Sequence, residues 1–254
     1  MTDVLPIRRA LLSVSDKGGL ISFAEGLARS GVRLVATDST GEALRSAGLE
    51  VMRVSELTRF PELLGGRVKT LHPIVHAGIL ADKSNPGHMQ ELAAQGIEPF
   101  DLVVVNLYPF ERAAMSQSDK AAVIEQIDIG GPTIIRAAGK NVGSVATVVD
   151  PGRYEEVIAA IQGPGGISGE MRSSLATEAF EHVAMYDAAI AAWFRRSSSP
   201  EGLPAALTLG LERLEDLRYG ENPHQQAALY REVLSPGPLG GAEILQGKQM
   251  SFNN

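Results

Sequence analysis

The sequence predicts an α/β protein built around a largely parallel sheet. Over the first 150 residues, short β-rich apolar runs alternate with amphipathic stretches of helical period, as successive crossover connections require. One run, residues 102–107, is continuous Leu and Val around a single Asn, the composition of a strand buried on both faces.

The elements follow in order. Residues 9–14 read as the first strand. Leu20, Phe23, Ala24, Leu27 and Ala28 fall at i, i+3, i+4, i+7 and i+8, which predicts a helix that Gly31 ends. Residues 32–37 form the second strand, residues 40–47 a short helix closed by Gly48, and residues 49–54 a third strand. After the central strand at 102–107, residues 120–141 hold two helical stretches separated by Ile129, Gly130, Gly131 and Pro132, the proline suiting a first helical turn. Residues 144–149 supply a fifth strand. Gly163, Pro164, Gly165 and Gly166 mark a loop, and the Ser/Pro/Gly stretch at 197–204 marks a linker. Between them one long helix is expected over 170–196, with Leu175, Ala179, Phe180, Val183, Ala184, Ile190 and Trp193 as its apolar positions. The final 50 or so residues carry turn signals and few periodicities, too little for a core of their own.

Composition narrows the function. A 254-residue, 27.0 kDa chain with 44% hydrophobic and 21% charged residues is globular, not disordered. Its mean hydropathy is +0.01. A net charge of −7 offers no basic footprint for nucleic acid, and no apolar run approaches the roughly 20 residues that span a bilayer. Without cysteine there is no disulfide, thiolate nucleophile or thiolate metal site. The start lacks a signal-peptide pattern, so the cytoplasm is the expected location.

Ligands of open parallel sheets collect at the carboxyl ends of strands. After the first predicted strand come Ser15, Asp16, Lys17, Gly18 and Gly19; after the second come Thr37, Asp38, Ser39, Thr40 and Gly41. Hydroxyls, a lysine and the free N–H groups of two helix starts suit a phosphate monoester. For either loop alone, plain helix capping is the blander explanation. No GxxxxGK[ST] loop is present, so ATP is not implied. Arg67 and Lys69, two apart in a glycine-led loop, would share one side of an extended segment and could clamp an anion. His72 and His76 have zinc-pair spacing, but Pro73 pushes His72 to extended geometry and no third ligand is clustered nearby. Structural, hydrogen-bonded histidines are the better expectation. Asn106 and Tyr108 end the central strand, where a carboxamide and a phenol could read a planar polar ligand. Asp128 and Lys140, twelve residues apart with a helix between them, need not be close, but both sit in the crossover that returns to the sheet edge; side by side in a pocket they could hold and release protons, and the blander alternative is an ordinary ion pair at a helix end.

Five segments, LLSVSDKGGL, GGRVKTLHPIVHAGIL, VVVNLYPF, EQIDIGGPTIIRAAGKN and LRYGENPHQQAALY, together resemble the bifunctional purine biosynthesis family, across nearly the whole chain. That family joins an inosine monophosphate (IMP) cyclohydrolase domain to an aminoimidazole carboxamide ribonucleotide (AICAR) transformylase domain. The resemblance implies a parallel-sheet, methylglyoxal synthase-like α/β domain with flanking helices over residues 1–197. A linker and the incomplete start of a second α/β domain would then fill residues 198–254. It implies closure of formyl-AICAR to IMP with loss of water, without cofactor or metal, by Lys69, Tyr108, Asp128 and Lys140, the last as proton donor and acceptor. Phosphate would sit on Ser15, Asp16 and Lys17, on Thr37, Asp38, Ser39 and Thr40, and on Arg67, Val68, Lys69 and Thr70. Val105, Asn106, Asp128 and Ile129 would line base and ribose. Where the family carries an S-G-G-T loop this chain has Thr37-Asp38-Ser39-Thr40, so Asp38 either turns from the phosphate or weakens its binding.

Arg218 and Tyr219 match AICAR contacts of the transformylase domain. Its Lys-His pair and its site for 10-formyltetrahydrofolate lie further along the family pattern, so no formyl transfer is expected and GKQMSFNN reads as a segment cut short. The partners implied are a purine nucleotide and a second copy in a homodimer, with no nucleic acid or membrane. The competing functions are a methylglyoxal synthase-like lyase acting on a triose phosphate, and a nucleotide-binding regulatory module of the kind fused to carbamoyl phosphate synthetases.

Overall fold

A computed structural model describes residues 4–61, 63–108, 110–116, 119–198, 205–218, 220–222, 224–234, 245–246, 250 and 252. The chain divides into two compact units, Met1–Tyr108 with Asp128–Val183, and Pro109–Ile127 with Ala184–Asn254. In chain order the elements are β1 (Val4–Leu5), β2 (Arg9–Val14), α1 (Leu20–Arg29), β3 (Arg33–Ala36), α2 (Asp38–Ser46), β4 (Val51–Arg53) and α3 (Val54–Thr58). There follow α4 (Pro73–Leu80), α5 (Pro86–Ala94), β5 (Leu102–Asn106), α6 (Phe110–Ser116), α7 (Lys120–Glu125), α8 (Gly130–Lys140) and β6 (Ala146–Val148). The last are α9 (Tyr154–Gln162), β7 (Ile167–Ser168), α10 (Gly169–Ser198), β8 (Leu211–Asp216) and β9 (Ala228–Glu232).

The first unit holds a five-stranded sheet of order β4-β3-β2-β5-β6, parallel throughout. Both faces are covered, as the apolar strand sequences require. Ala10, Leu12 and Val14 of β2, Leu34 and Ala36 of β3, and Leu102 and Val104 of β5 share one core with Leu20, Phe23, Ala24 and Leu27 of α1 and Val157 of α9. Their alternation is the period-two signature of strands facing one layer. Across the sheet, α8 packs on β5, on β6 and on α4. The chain runs from β2 outward to β3 and β4, then returns to place β5 on the other side of β2. The switch point therefore opens between the carboxyl ends of β2 and β5, where open α/β sheets hold ligands.

The amino end of the sheet is closed by a buried carboxylate. Asp101 accepts from the backbone N–H groups of Arg8 and Arg9, each at 2.8 Å, and from the ammonium of Lys83. Lys83 also donates to the Ser144 carbonyl at 2.7 Å. Burial holds the Lys83 ammonium below its ordinary pKa against the opposing pull of Asp101.

In the second unit, Phe110 of α6 is buried edge-on against Tyr186 and Trp193, with ring centroids 6.2 and 6.0 Å away. β8 and β9 form an antiparallel hairpin with an irregularity between Arg213 and Glu215.

Several predicted bounds move. The helix after β3 begins at Asp38, not residue 40, and the third strand stops at Arg53 because residues 54–58 turn into α3. The two helices expected over 120–141 form as α7 and α8 with Pro132 in a first turn, but the separator is residues 126–129, and Gly130 and Gly131 belong to α8. Ala28, Phe180 and Ala184 face outward; Gly26 takes the inner place on α1, and Tyr186, Ala188 and Ala189 on α10. The hairpin had no counterpart in the sequence reading, since most of β8 is exposed and lacks a buried alternation.

Candidate active site

The loop after β2 is shaped by Asn106, the last residue of β5. Its Oδ1 accepts from the backbone N–H of Ser15 at 2.7 Å and of Asp16 at 2.9 Å, while its Nδ2 donates to the Asp16 carbonyl at 3.1 Å. Three hydrogen bonds thus tie the two strand ends that flank the switch point. The carboxamide is committed to the loop, so its influence on a ligand passes through Ser15 and Asp16. Asp16 folds back, its Oδ1 accepting from Gly18 N–H at 2.8 Å, and Gly19 takes φ +67° to start α1. That left-handed turn suits glycine.

The second loop is tied to the first. Thr40 accepts through Oγ1 from Val14 N–H at 3.1 Å, and the Thr37 hydroxyl meets Ser13 Oγ at 3.2 Å. Both threonines are buried, so their side chains fasten β3 to β2. Neither α1 nor α2 has a side-chain cap on its N-terminus; Leu20 N–H donates to the Lys17 carbonyl at 3.2 Å, and the remaining first-turn N–H groups are open to an anion. Plain capping therefore does not account for either loop. Asp38 opens α2 and its Oδ1 accepts from Ser55 Oγ of α3 at 3.5 Å, which draws the carboxylate toward α3; Ser39 is exposed.

The third loop is a tight turn. Leu63 and Val68 pair as an isolated antiparallel bridge around a 3-10 turn at Leu64–Gly66. Leu64 has φ +54° and is 74% exposed, a costly backbone state for a leucine that the apolar core does not reward. Arg67 lies in the right-handed helical region, so the expected extended spacing of Arg67 and Lys69 does not hold; both are exposed. Thr70 is buried, and its Oγ1 lies 2.6 Å from where a Cβ on Gly130 would stand.

The start of α8 collects the remaining groups. Asp128 accepts through Oδ1 from Gly131 N–H at 3.1 Å. A Cβ on Gly131 would stand 2.4 Å from Asp128 Oδ2 and 2.5 Å from Leu107 Cδ2, distances no side chain tolerates. Gly130 and Gly131 therefore admit Thr70, Leu107 and Asp128 to one helix start. Tyr108 is 48% exposed and Ile129 56%, so both are open to a ligand, while Val105 is buried in the sheet. His72 caps α4, its Nδ1 accepting from Ile74 N–H at 3.2 Å. His76 departs from the expectation of hydrogen-bonded histidines: its Nε2 is buried without a partner, and burial lowers its pKa. Among the described residues no group of three or more His, Asp or Glu is placed to hold a metal.

Lys140 stands apart. It ends α8, so roughly 15 Å of helix at 1.5 Å per residue separates it from Asp128. There it lines a cavity of about 550 Å³ with Leu5, Leu80, Lys83, His88 and Ser144, at the amino end of the sheet. The Asp128–Lys140 proton pair considered from the sequence is not formed within one chain. Arg218 donates its backbone N–H to the Met250 carbonyl at 3.0 Å in the second unit, and Tyr219 lies outside the described residues. Tyr154, which no motif singles out, lays its ring under Gly19.

Comparison with known proteins places the chain in a family. Residues 19–133 match the model of the MGS-like domain, and residues 138–254 match that of the AICARFT/IMPCHase bienzyme. The bifunctional purine biosynthesis protein PurH of Mycobacterium ulcerans (strain Agy99) is 52% identical over 253 residues, covering 98% of this chain and 48% of the relative. PurH of Myxococcus xanthus (strain DK1622) is 50% identical over 247 residues, covering 96% of this chain and 48% of that one. The crystal structure of ForH is 40% identical with a TM-score of 0.66, over 74% of this chain and 99% of its own. The chain belongs to the bifunctional purine biosynthesis family. It spans about half the length of the PurH relatives it matches. The MGS-like domain match takes in all three strand-end loops but the first four residues of the β2 loop, and the start of α8.

Proposed function

We propose that this chain closes formyl-AICAR to IMP, with the chemistry at the start of α8. The observation that carries the reading is the convergence of Thr70, Leu107 and Asp128 on Gly130 and Gly131, beside two uncapped helix starts. Membership in the PurH family supports it.

Ring closure asks the carboxamide nitrogen to attack the formyl carbon. That nitrogen loses a proton and the formyl oxygen gains one, giving a carbinolamine; the hydroxyl then takes a second proton and leaves as water while the former formamido nitrogen gives up its own proton. Asp128 accepts the amide proton, and Lys69 or Tyr108 stabilises the developing oxyanion. The phosphate rests on the open N–H groups of α1 and α2, with Lys17 and Arg67 supplying charge and Ser15 and Ser39 hydroxyls. Val105 and Ile129 would contribute their backbone to the base and ribose. Lys140 stands at the other end of α8 and exchanges no proton with Asp128 of the same chain. The reaction needs no cofactor, since every step is a proton transfer or an addition and elimination. Formyl transfer from 10-formyltetrahydrofolate is not assigned to these residues.

Residues 1–197 are proposed as the cyclohydrolase domain and 198–254 as the start of a second one. A cytoplasmic homodimer is the proposed setting, with the exposed Phe180 ring of α10 as apolar surface. No helix among the described residues is long and apolar enough to cross a membrane. Ultraviolet absorbance on adding formyl-AICAR tests the activity: IMP formation supports it. Binding without turnover would point to a regulatory module, and turnover of a triose phosphate to a lyase.

A further inference from the structure

Next to the carboxyl end of β6 the chain buries a phenol that meets no partner. Tyr154, the first residue of α9, is 5% exposed, and its hydroxyl has no hydrogen bond. Folded proteins rarely leave such a group unpaired, and doing so is costly. Its ring stacks on Phe23 with centroids 4.2 Å apart and 13° between planes. A Cβ on Gly19 would stand 3.5 Å from its Cδ2. The ring therefore underlies the first turn of α1 and the loop of residues 15–19.

Burial, with the nearby carboxylates of Asp16 and Asp150 adding to it, pushes the phenol up to about 12. It remains a proton donor under all ordinary conditions. Asp150 belongs to its own turn, accepting from Gly152 N–H at 2.8 Å. Asp16 is different, because it sits in the loop proposed to hold a phosphate dianion, where its charge opposes the ligand. A donor that takes up that charge would relieve the conflict.

We propose that Tyr154 is a positioning residue for the phosphate loop: when nucleotide binds, its hydroxyl donates to the Asp16 carboxylate and holds residues 15–19 in the bound form. The proposal rests on the phosphate site described under Proposed function. It explains why the hydroxyl is retained although the ligand-free fold gives it nothing to bond.

The test compares wild type, Tyr154→Phe, Asp16→Asn and the double variant, by calorimetric titration with IMP and by thermal melting without ligand. Phenylalanine keeps the stack on Phe23. The expected result is an unchanged or higher melting temperature, with IMP affinity reduced about tenfold, the scale of one hydrogen bond to a charged group. In an Asp16→Asn background the same change should have little further effect. Turnover at saturating substrate should stay near wild type while KM rises. Affinity within about twofold of wild type, effects that simply add, or a lower melting temperature with unchanged binding would each overturn the proposal. If wild type ignores IMP, the ring-closure reading fails and inorganic phosphate becomes the probe. A similar loss in Tyr154→Phe then upholds the positioning role, and no loss or no phosphate binding rejects it.

Discussion

Replacing Asn106 by Leu removes three hydrogen bonds at once and strands the N–H groups of Ser15 and Asp16. A fully buried group left unpaired costs about 1–3 kcal/mol, and with Ser15 half-buried and Asp16 exposed the cost here falls at or below the lower end. Asn106→Leu should therefore lower the melting temperature and weaken IMP binding by tenfold or more, read by calorimetry; unchanged binding would mean that the loop holds its shape without the carboxamide. Asp38 makes the opposite case. Because its Oδ1 accepts from Ser55 of α3, Asp38→Gly should leave IMP affinity within about twofold, while helix propensity costs only about 0.3 kcal/mol of stability. Tighter binding would show that the carboxylate faces the anion after all. At this scale the sequence revealed which residue types stand at strand ends. It did not reveal how they are spent: Asn106, Thr37 and Thr40 are candidate ligands by type and loop fasteners by contact. Nothing in a lone tyrosine at residue 154 distinguishes it from ordinary core.

Among the elements, α8 governs the site through two residues without side chains. Alanine at Gly131 would collide with Asp128 and Leu107 at 2.4 and 2.5 Å. Gly131→Ala should cost about 1–3 kcal/mol of stability and should reduce turnover more than the loss of folded protein explains. Activity scaled to folded protein, from melting curves and initial rates, separates the two effects. Equal losses would place Gly131 in the packing alone. The long elements were legible: α1 and α10 carry sustained periods, and β5 an unbroken apolar run. Short ones were not, since α3 has only five residues, too few to display a period. The β8–β9 hairpin carries no sequence signal for another reason. Its mostly exposed first strand needs no alternation to form.

For the whole molecule, burial of His76 and His182 sets a pH dependence. Burial lowers both pKa values below the ordinary 6.5, and each Nε2 is buried without a partner. The unfolded chain therefore binds more protons than the folded one just below pH 6.5. The stability these neutral rings contribute is fully present above that value and falls with pH toward the folded-state pKa values. Thermal melting should drop between pH 7 and 5, by at most about 1.4 kcal/mol per pH unit for each histidine. His182→Leu should flatten the slope, and an unchanged slope would remove His182 from the account. The parallel sheet and its loops were legible because alternation and turn residues are local properties. The separation of Asp128 from Lys140 was legible as well, because a helix is expected between them; its length, eleven residues from Gly130, sets the distance.

The central claim is that ring closure occurs at the start of α8. The most direct measurement follows IMP formation from formyl-AICAR by ultraviolet absorbance in wild type and in Asp128→Asn, with IMP binding measured alongside. Turnover in wild type and a loss of about a hundredfold or more in the variant, the usual worth of a general base, with binding retained, is the expected result. Wild-type protein that binds IMP but forms none, or an Asp128→Asn variant with near-normal turnover, would contradict it.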